Sequence, residues 1–301
     1  KRNLMKGSVI PRYSGLPTVL KENGYYNLFF MTHEGQYDNM NAFFRTNGYD
    51  EVFSQEDYPA DKVVNSFGVQ DDFLYDYAIP VLNQRAATGQ PFFATLLSIS
   101  NHPPYVIPPF FHPKTSEPET QLVEYADWAL RQFFEEARKQ PWFDNTIFVL
   151  EGDHGKLVGD AECELPESYN HIPLMIYSSR IQPEEKTTFG GQVDIQPTIL
   201  GLLNIDYLQN NFGVDLLKEE RPCMFYTADN MVVGRNDTLL YLYNYETQQE
   251  LTYDIGNGKL NAVPMDDSFL PLKEYSFSML QSAEFLVKHG KTLNSIPFTQ
   301  Q

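Results

Sequence analysis

The sequence predicts an α/β fold: a mostly parallel sheet with helices on both faces, plus a smaller C-terminal antiparallel sheet with a helix. Three observations carry this prediction. Between about residues 14 and 205, helical segments alternate with short apolar runs, as in a sheet covered on both sides. The runs at 25–31, 92–100 and 145–150 are apolar throughout rather than alternating, the habit of parallel strands buried on both faces. After Asn210 the texture changes to short strands separated by turn residues. This divides the chain into an α/β core over 1–205 and a subdomain of antiparallel sheet and helix over 206–301.

Taken in order, 14–24 reads as a short helix with Ser14 as N-cap, Pro17 in the first turn and Gly24 at its end. A strand follows at 25–31 and runs into His33 and Glu34; 40–47 is a second short helix closed by Gly48. Segment 71–87 has Phe73, Tyr77, Val81 and Leu82 near helical spacing, with Pro80 expected to kink or split it. The strand at 92–100 ends in Asn101 and His102, and the proline-rich stretch 103–118 is loop. Leu122, Ala126, Ala129, Leu130, Phe133 and Ala137 then form the apolar stripe of a long helix over 120–140. The strand at 145–150 enters Glu151, Gly152, Asp153, His154 and Gly155; a strand at 172–177 and a helix at 193–203 complete the core. Short strands are expected at 224–226, 231–233, 239–243 and 250–254, and a last helix at 272–288.

The chain has 301 residues, a formal net charge of −18 and 42% hydrophobic residues. The acids are scattered, which excludes binding of nucleic acid or an anionic membrane surface through a basic patch. No apolar run approaches the roughly 18 residues that span a bilayer. Cys163 and Cys223 allow at most one disulfide and lack the paired spacing of a thiolate zinc site.

In open α/β sheets, ligands bind beyond the carboxyl ends of the strands. Three polar clusters fall there: His33 with Glu34, Asn101 with His102, and Asp153 with His154. Asp153 and His154 offer an oxygen and a nitrogen ligand side by side, between glycines that permit a tight turn, so both could face one divalent ion. The alternative is a turn in which the aspartate caps and the histidine bonds locally. His102, ahead of two prolines, could donate to an anionic substrate or protonate a leaving group; packing against aromatic neighbours is the alternative. His171 precedes its strand and belongs at the opposite, amino end of a parallel sheet unless its loop folds back. His112 and His289 look incidental.

Six segments, taken together and in order, resemble the sulfatase and alkaline-phosphatase superfamily, in particular its lipoteichoic-acid-synthase-like branch of phosphoglycerol transferases. They are SGLPTVLKENGY at 14–25, YDNMNAFF at 37–44 with GYD at 48–50, SISNHPPY at 98–105, YADWAL at 125–130, GDHG at 152–155 and HIPLMIY at 171–177. The resemblance implies a metal-dependent enzyme domain that transfers phosphoglycerol-type groups through a covalent intermediate. Asp153 and His154 would hold a divalent ion, manganese first, with magnesium, calcium or zinc as alternatives. His102, beside Asn101, would contact the phosphate- or sulfate-ester substrate, a lipid head group or a glycan; His33 and Glu34 could reach the same site or form an ordinary solvated pair. The nucleophile and first acidic ligand would lie upstream of Lys1, and so would a membrane anchor holding the domain outside the cytoplasm. Where lipoteichoic acid synthases carry a tryptophan and an arginine in the second segment, Asp38 and Met40 stand here. Loss of an arginine phosphate clamp keeps two other readings open: a sulfate- or phosphate-ester hydrolase, and a non-catalytic binding domain of the same fold.

Overall fold

The computed structural model describes residues 10–293 apart from 101, 158 and 257. The chain separates into two compact units, with the division between Thr146 and Ile147.

The first unit holds α1 (Leu16–Glu22), β1 (Tyr26–Met31), α2 (Met40–Thr46), β2 (Glu51–Phe53), β3 (Val63–Asn65), β4 (Gly68–Val69), α3 (Asp71–Ala86), β5 (Phe92–Leu97) and α4 (Pro118–Ala137). Its sheet runs β2-β1-β5, parallel throughout, with Leu28 opposite both Glu51 and Ala94. As the central strand, β1 is the core: Leu28, Phe30 and Met31 are fully buried. β5 is only half-buried along its length, where its apolar run predicted burial on both faces. α1 is capped by Gly15 rather than Ser14, because Gly15 is the last extended residue and its amide donates to Thr18 Oγ1 at 2.8 Å. α3 runs through Pro80 without a break. A proline costs one backbone hydrogen bond and a ring clash, and the buried ladder of Leu74, Ala78 and Leu82 offsets that cost. α4 packs on α3 through the predicted stripe, with Leu122, Ala129 and Ala137 fully buried.

The second unit holds β6 (Phe148–Glu151), β7 (Leu174–Tyr177), α5 (Ile195–Leu202), β8 (Met224–Ala228), β9 (Met231–Arg235), β10 (Leu239–Asn244), β11 (Gln249–Gly256), β12 (Lys259–Ala262) and α6 (Leu270–Lys288). β6 and β7 pair antiparallel, with Glu151 opposite Leu174 and Phe148 opposite Tyr177. This pair is antiparallel where the larger core sheet is parallel as expected, and Met175 on β7 is 55% exposed. β8 to β12 form the predicted meander, with one strand (β12) more than the sequence reading. Leu240, Tyr241 and Leu242 at the centre of β10 are all buried because both faces of that sheet are covered. Leu240 and Leu242 pack with Val233 and Leu165, while Tyr241 packs with Phe269 and Leu272 of the α6 segment. The change of texture near residue 205 lies inside this unit, between α5 and β8. Cys163 and Cys223 are free thiols. None of the helices among the described residues is long and apolar enough to cross a membrane.

Candidate functional site

In the first unit, β1 carries Thr32 and His33 at its carboxyl end. His33 is 3% exposed, and its Nδ1 meets the Glu34 carbonyl at 3.1 Å. A carbonyl only accepts, so Nδ1 carries the proton in the neutral ring and Nε2 keeps its lone pair. Glu34 itself is exposed. β5 delivers the second histidine. The His102 amide donates to Ile99 O at 2.8 Å, and His102 Nδ1 donates to Pro103 O at 2.6 Å, which again leaves Nε2 available. Asn101 lies outside the described residues. A row of rings connects the two histidines: His33 to Tyr37 at 4.8 Å, Tyr37 to Phe67 at 6.3 Å, and Phe67 to His102 at 4.4 Å. The structure thus brings His33 and His102 to one end of the sheet.

Support for the His102 loop comes from residues that no motif singled out. Asp71, 2% exposed, accepts from the Ile99 and Ser100 amides, both at 2.9 Å. Ser100 Oγ donates to Gln70 Oε1 at 3.0 Å, and Gln70 Nε2 donates to Val106 O at 3.1 Å. Burial pushes the Asp71 carboxyl above its ordinary range despite those amide bonds. The recess behind His102, between Val64, Phe67, Gln70 and Ser100, holds about 10 Å³, room for one water. Anything larger than a water could reach His102 only from its solvent face. The sequence signal for Asp71 was slight: an acid in the first turn of a helix, where the dipole favours it.

In the second unit, β6 carries Glu151 into Gly152, Asp153, His154 and Gly155. Gly155 is needed by its surroundings: its amide donates to Tyr169 O at 3.0 Å, and a Cβ there would overlap the Ser168 carbonyl. The His154 amide donates to Asp153 Oδ1 at 2.9 Å, and His154 Nδ1 donates to Gly155 O at 2.8 Å. His154 Nε2 then lies 3.6 Å from Asp153 Oδ2, both side chains being largely exposed. Antiparallel pairing also changes where His171 falls. Since Glu151 pairs with Leu174 and the Gly152 amide reaches Pro173 O at 3.4 Å, the residues ahead of β7 flank the carboxyl end of β6. His171 is therefore on the same side as Asp153 and His154, not opposite, as a parallel order implied.

The pair fits a divalent ion by two criteria. Ligands bonded at about 2.0–2.2 Å to one centre lie a little over 3 Å apart, within a small rotation of the 3.6 Å seen here. Metal-ligating histidines hold their second ring nitrogen in a hydrogen bond to a carbonyl or carboxylate, as His154 does with Gly155. Among the described residues no group of three or more His, Cys, Asp or Glu comes together as a metal cluster. Asp153 and His154 would supply two ligands, half of a tetrahedral sphere.

The chain is similar to known proteins in both sequence and fold. Lipoteichoic acid synthase 1 from Bacillus subtilis (strain 168) is 26% identical over 270 residues, covering 82% of this chain and 40% of that protein. Phosphoglycerol transferase I from Xanthomonas campestris is 25% identical over 243 residues, covering 76% of this chain and 34% of its own length. The chain therefore spans less than half of these curated relatives. Among solved structures, a protein of the alkaline phosphatase superfamily from Vibrio parahaemolyticus superposes with a TM-score of 0.82 at 26% identity, over 97% of this chain and 73% of the other. A lipoteichoic acid synthase from Listeria monocytogenes shares the fold with a TM-score of 0.78 at 21% identity, over 95% and 75%. The sulfatase family model matches residues 3–205, a stretch that takes in every strand-end cluster described above, and the chain belongs to the sulfatase family.

Proposed function

We propose that this chain is part of a metal-dependent, extracytoplasmic transferase that moves a phosphoglycerol-type group from a phosphate ester through a covalent intermediate. The observation that carries the reading is the Asp153–His154 pair, an imidazole and a carboxylate 3.6 Å apart at the end of β6 with the imidazole tautomer fixed for ligation. A bound divalent ion, manganese first, supplies Lewis-acid activation of the ester oxygens and of a hydroxyl nucleophile. Asp153 and His154 hold that ion. His102, whose Nδ1 is committed to Pro103, offers Nε2 to the anionic head group, donating when protonated and accepting a hydroxyl when neutral. His33 is too deeply buried to reach far and steadies the Tyr37 ring beside it. Glu34, exposed at the same end, takes hydroxyls of a glycerol or sugar, as does Asn101.

A second reading, ester hydrolysis with the same metal pair, is favoured by one local feature. Asp38 and Met40 stand where the synthases carry the tryptophan and arginine. Asp38 sits in a left-handed turn at φ 48°, and Met40 is 8% exposed in the cluster with Phe29, Tyr49 and Val52. A buried methionine clamps no phosphate, so the acceptor here need not be a teichoic acid chain.

The test is a Mn²⁺ titration by calorimetry of this chain and of a longer version carrying upstream sequence, with turnover of p-nitrophenyl phosphate and p-nitrophenyl sulfate. Metal binding and phosphate-ester turnover that both vanish in Asp153→Ala support the transferase reading. Turnover with water alone as acceptor, unchanged by added glycerol, selects the hydrolase. Absence of metal binding in both versions overturns the enzyme reading in favour of a binding domain.

A further inference from the structure

The Asp153 and His154 side chains are largely exposed. What holds the backbone of their turn comes from elsewhere in the second unit. Gln192 Nε2 donates to two carbonyls at once, Gly152 O at 3.2 Å and Asp153 O at 2.9 Å. Those carbonyls belong to the peptide planes on either side of the Asp153 Cα, so one amide group fixes both torsions that aim the aspartate and the following histidine.

The base of that arm is rigid. Gln192 opens a short 3-10 turn that ends in Asp194, which is fully buried. Asp194 accepts from the Gly191 and Val214 amides, both at 2.8 Å, and from Arg221 Nε at 2.8 Å. Arg221 is 7% exposed and also donates to Phe212 O and, at 3.4 Å, to Tyr275 Oη. A buried ion pair is tolerated only when its remaining hydrogen-bonding positions are filled, and these are filled by backbone from two further segments. The result is an exposed donor on an immobile foundation.

From this arrangement, and resting on the metal reading above, we infer that Gln192 is a positioning residue that holds the Asp153–His154 turn in the conformation presenting carboxylate and imidazole to a divalent ion. It touches neither the ion nor the ester. Its two carbonyl bonds act on the ligands through the backbone, as outer-shell partners act on ligand side chains. An ordinary surface glutamine gives the opposite expectation: a substitution that changes neither stability nor affinity.

The experiment is Mn²⁺ calorimetry on the longer chain used above, comparing wild type, Gln192→Met (similar length, no donor) and Gln192→Ala, with thermal melts of each in EDTA. Gln192→Met is expected to weaken Mn²⁺ binding by at least about tenfold, as loss of an outer-shell partner does, while the metal-free melting temperature stays within about two degrees because the side chain is exposed. Gln192→Ala should match it. If both variants bind Mn²⁺ within twofold of wild type, the positioning role is overturned while the metal reading stands. A fall in the metal-free melting temperature with unchanged affinity also overturns it, since the bond would then serve folding alone. If wild type itself binds no Mn²⁺, the metal reading and this inference fall together.

Discussion

The strand-end clusters of the two units are built differently. In the first unit His33 is 3% exposed, and the His102 loop is tied from beneath by buried Asp71, Gln70 and Ser100. In the second unit the Asp153 and His154 side chains are 72% and 68% exposed, and Gln192 donates to the backbone of the turn. The first cluster is tied down by buried side chains; the second carries exposed side chains on a turn held through its backbone. A head group recognised through few contacts gains from a preset partner, because no rotamer freedom is lost on binding. Ligands of a metal ion tolerate freedom better, since the bonds they form are strong and directional.

Removing either residue of the proposed metal pair should produce the largest effect and test this contrast most severely. Asp153→Ala and His154→Ala are each expected to lower p-nitrophenyl phosphate turnover by at least ~100-fold, about 2.7 kcal/mol, with Mn²⁺ binding lost in calorimetry. His102→Ala should instead raise KM and leave the Mn²⁺ affinity as it was. A fall in metal affinity in His102→Ala would break the division of labour between the two ends.

The next effect is on stability and belongs to the preset end. Gly68 has φ +88°, and a Cβ there would overlap the Thr32 carbonyl, next to His33. Its neighbour Phe67 is the ring that meets His102. Gly68→Ala combines a left-handed backbone with overpacking and should cost about 2–3 kcal/mol, read as a lower urea midpoint. An equivalent midpoint would mean that the hairpin of β3 and β4 is not pressed against β1.

How much of this was legible in the sequence follows the range of the interaction concerned. The helices of the first unit, the strand-end clusters and the antiparallel meander showed in periodicity and turn residues, because each is fixed by neighbours within a few positions. Pro80 misled because a local penalty was outweighed by burial of Leu74, Ala78 and Leu82. The direction of β7 was hidden, since an apolar run reads the same whichever way it pairs, and with it the side on which His171 falls. Asp71, Phe67 and Gln192 were missed for a common reason: each acts on a residue 28 to 39 positions away or more, through contacts that leave no local pattern. The Asp153–His154 pair was visible as residue types, but its fixed tautomer comes from the Gly155 carbonyl, a matter of geometry alone.

A smaller, pH-dependent effect should separate the two ends again. Burial raises the Asp71 carboxyl above its unfolded value, so the folded state binds that proton more tightly than the unfolded chain. The contribution to stability is then complete below the unfolded value near 4 and is lost as pH rises through the raised folded value. Asp71→Asn keeps an oxygen to accept from the Ile99 and Ser100 amides and removes the titration. Urea midpoints between pH 4 and 7 should fall with pH more steeply in wild type than in Asp71→Asn. Equal slopes would show that the amide bonds fully compensate the buried charge.

The smallest predicted effect asks whether the row of rings is part of recognition or only packing. Tyr37 is 49% exposed yet stands between His33 and Phe67, and an exposed ring contributes little to the core. Aromatic contacts of this kind are worth about 0.5–1.5 kcal/mol, so Tyr37→Ala should raise KM for p-nitrophenyl phosphate by roughly threefold to tenfold. Turnover at saturation should hold, because neither the metal pair nor His102 is touched. Tyr37→Phe should restore KM if the ring face is what matters, and fail to do so if the hydroxyl binds the ester. An unchanged KM in Tyr37→Ala would confine recognition to His102 and its buried support, and would make the preset end narrower than the ring row suggests.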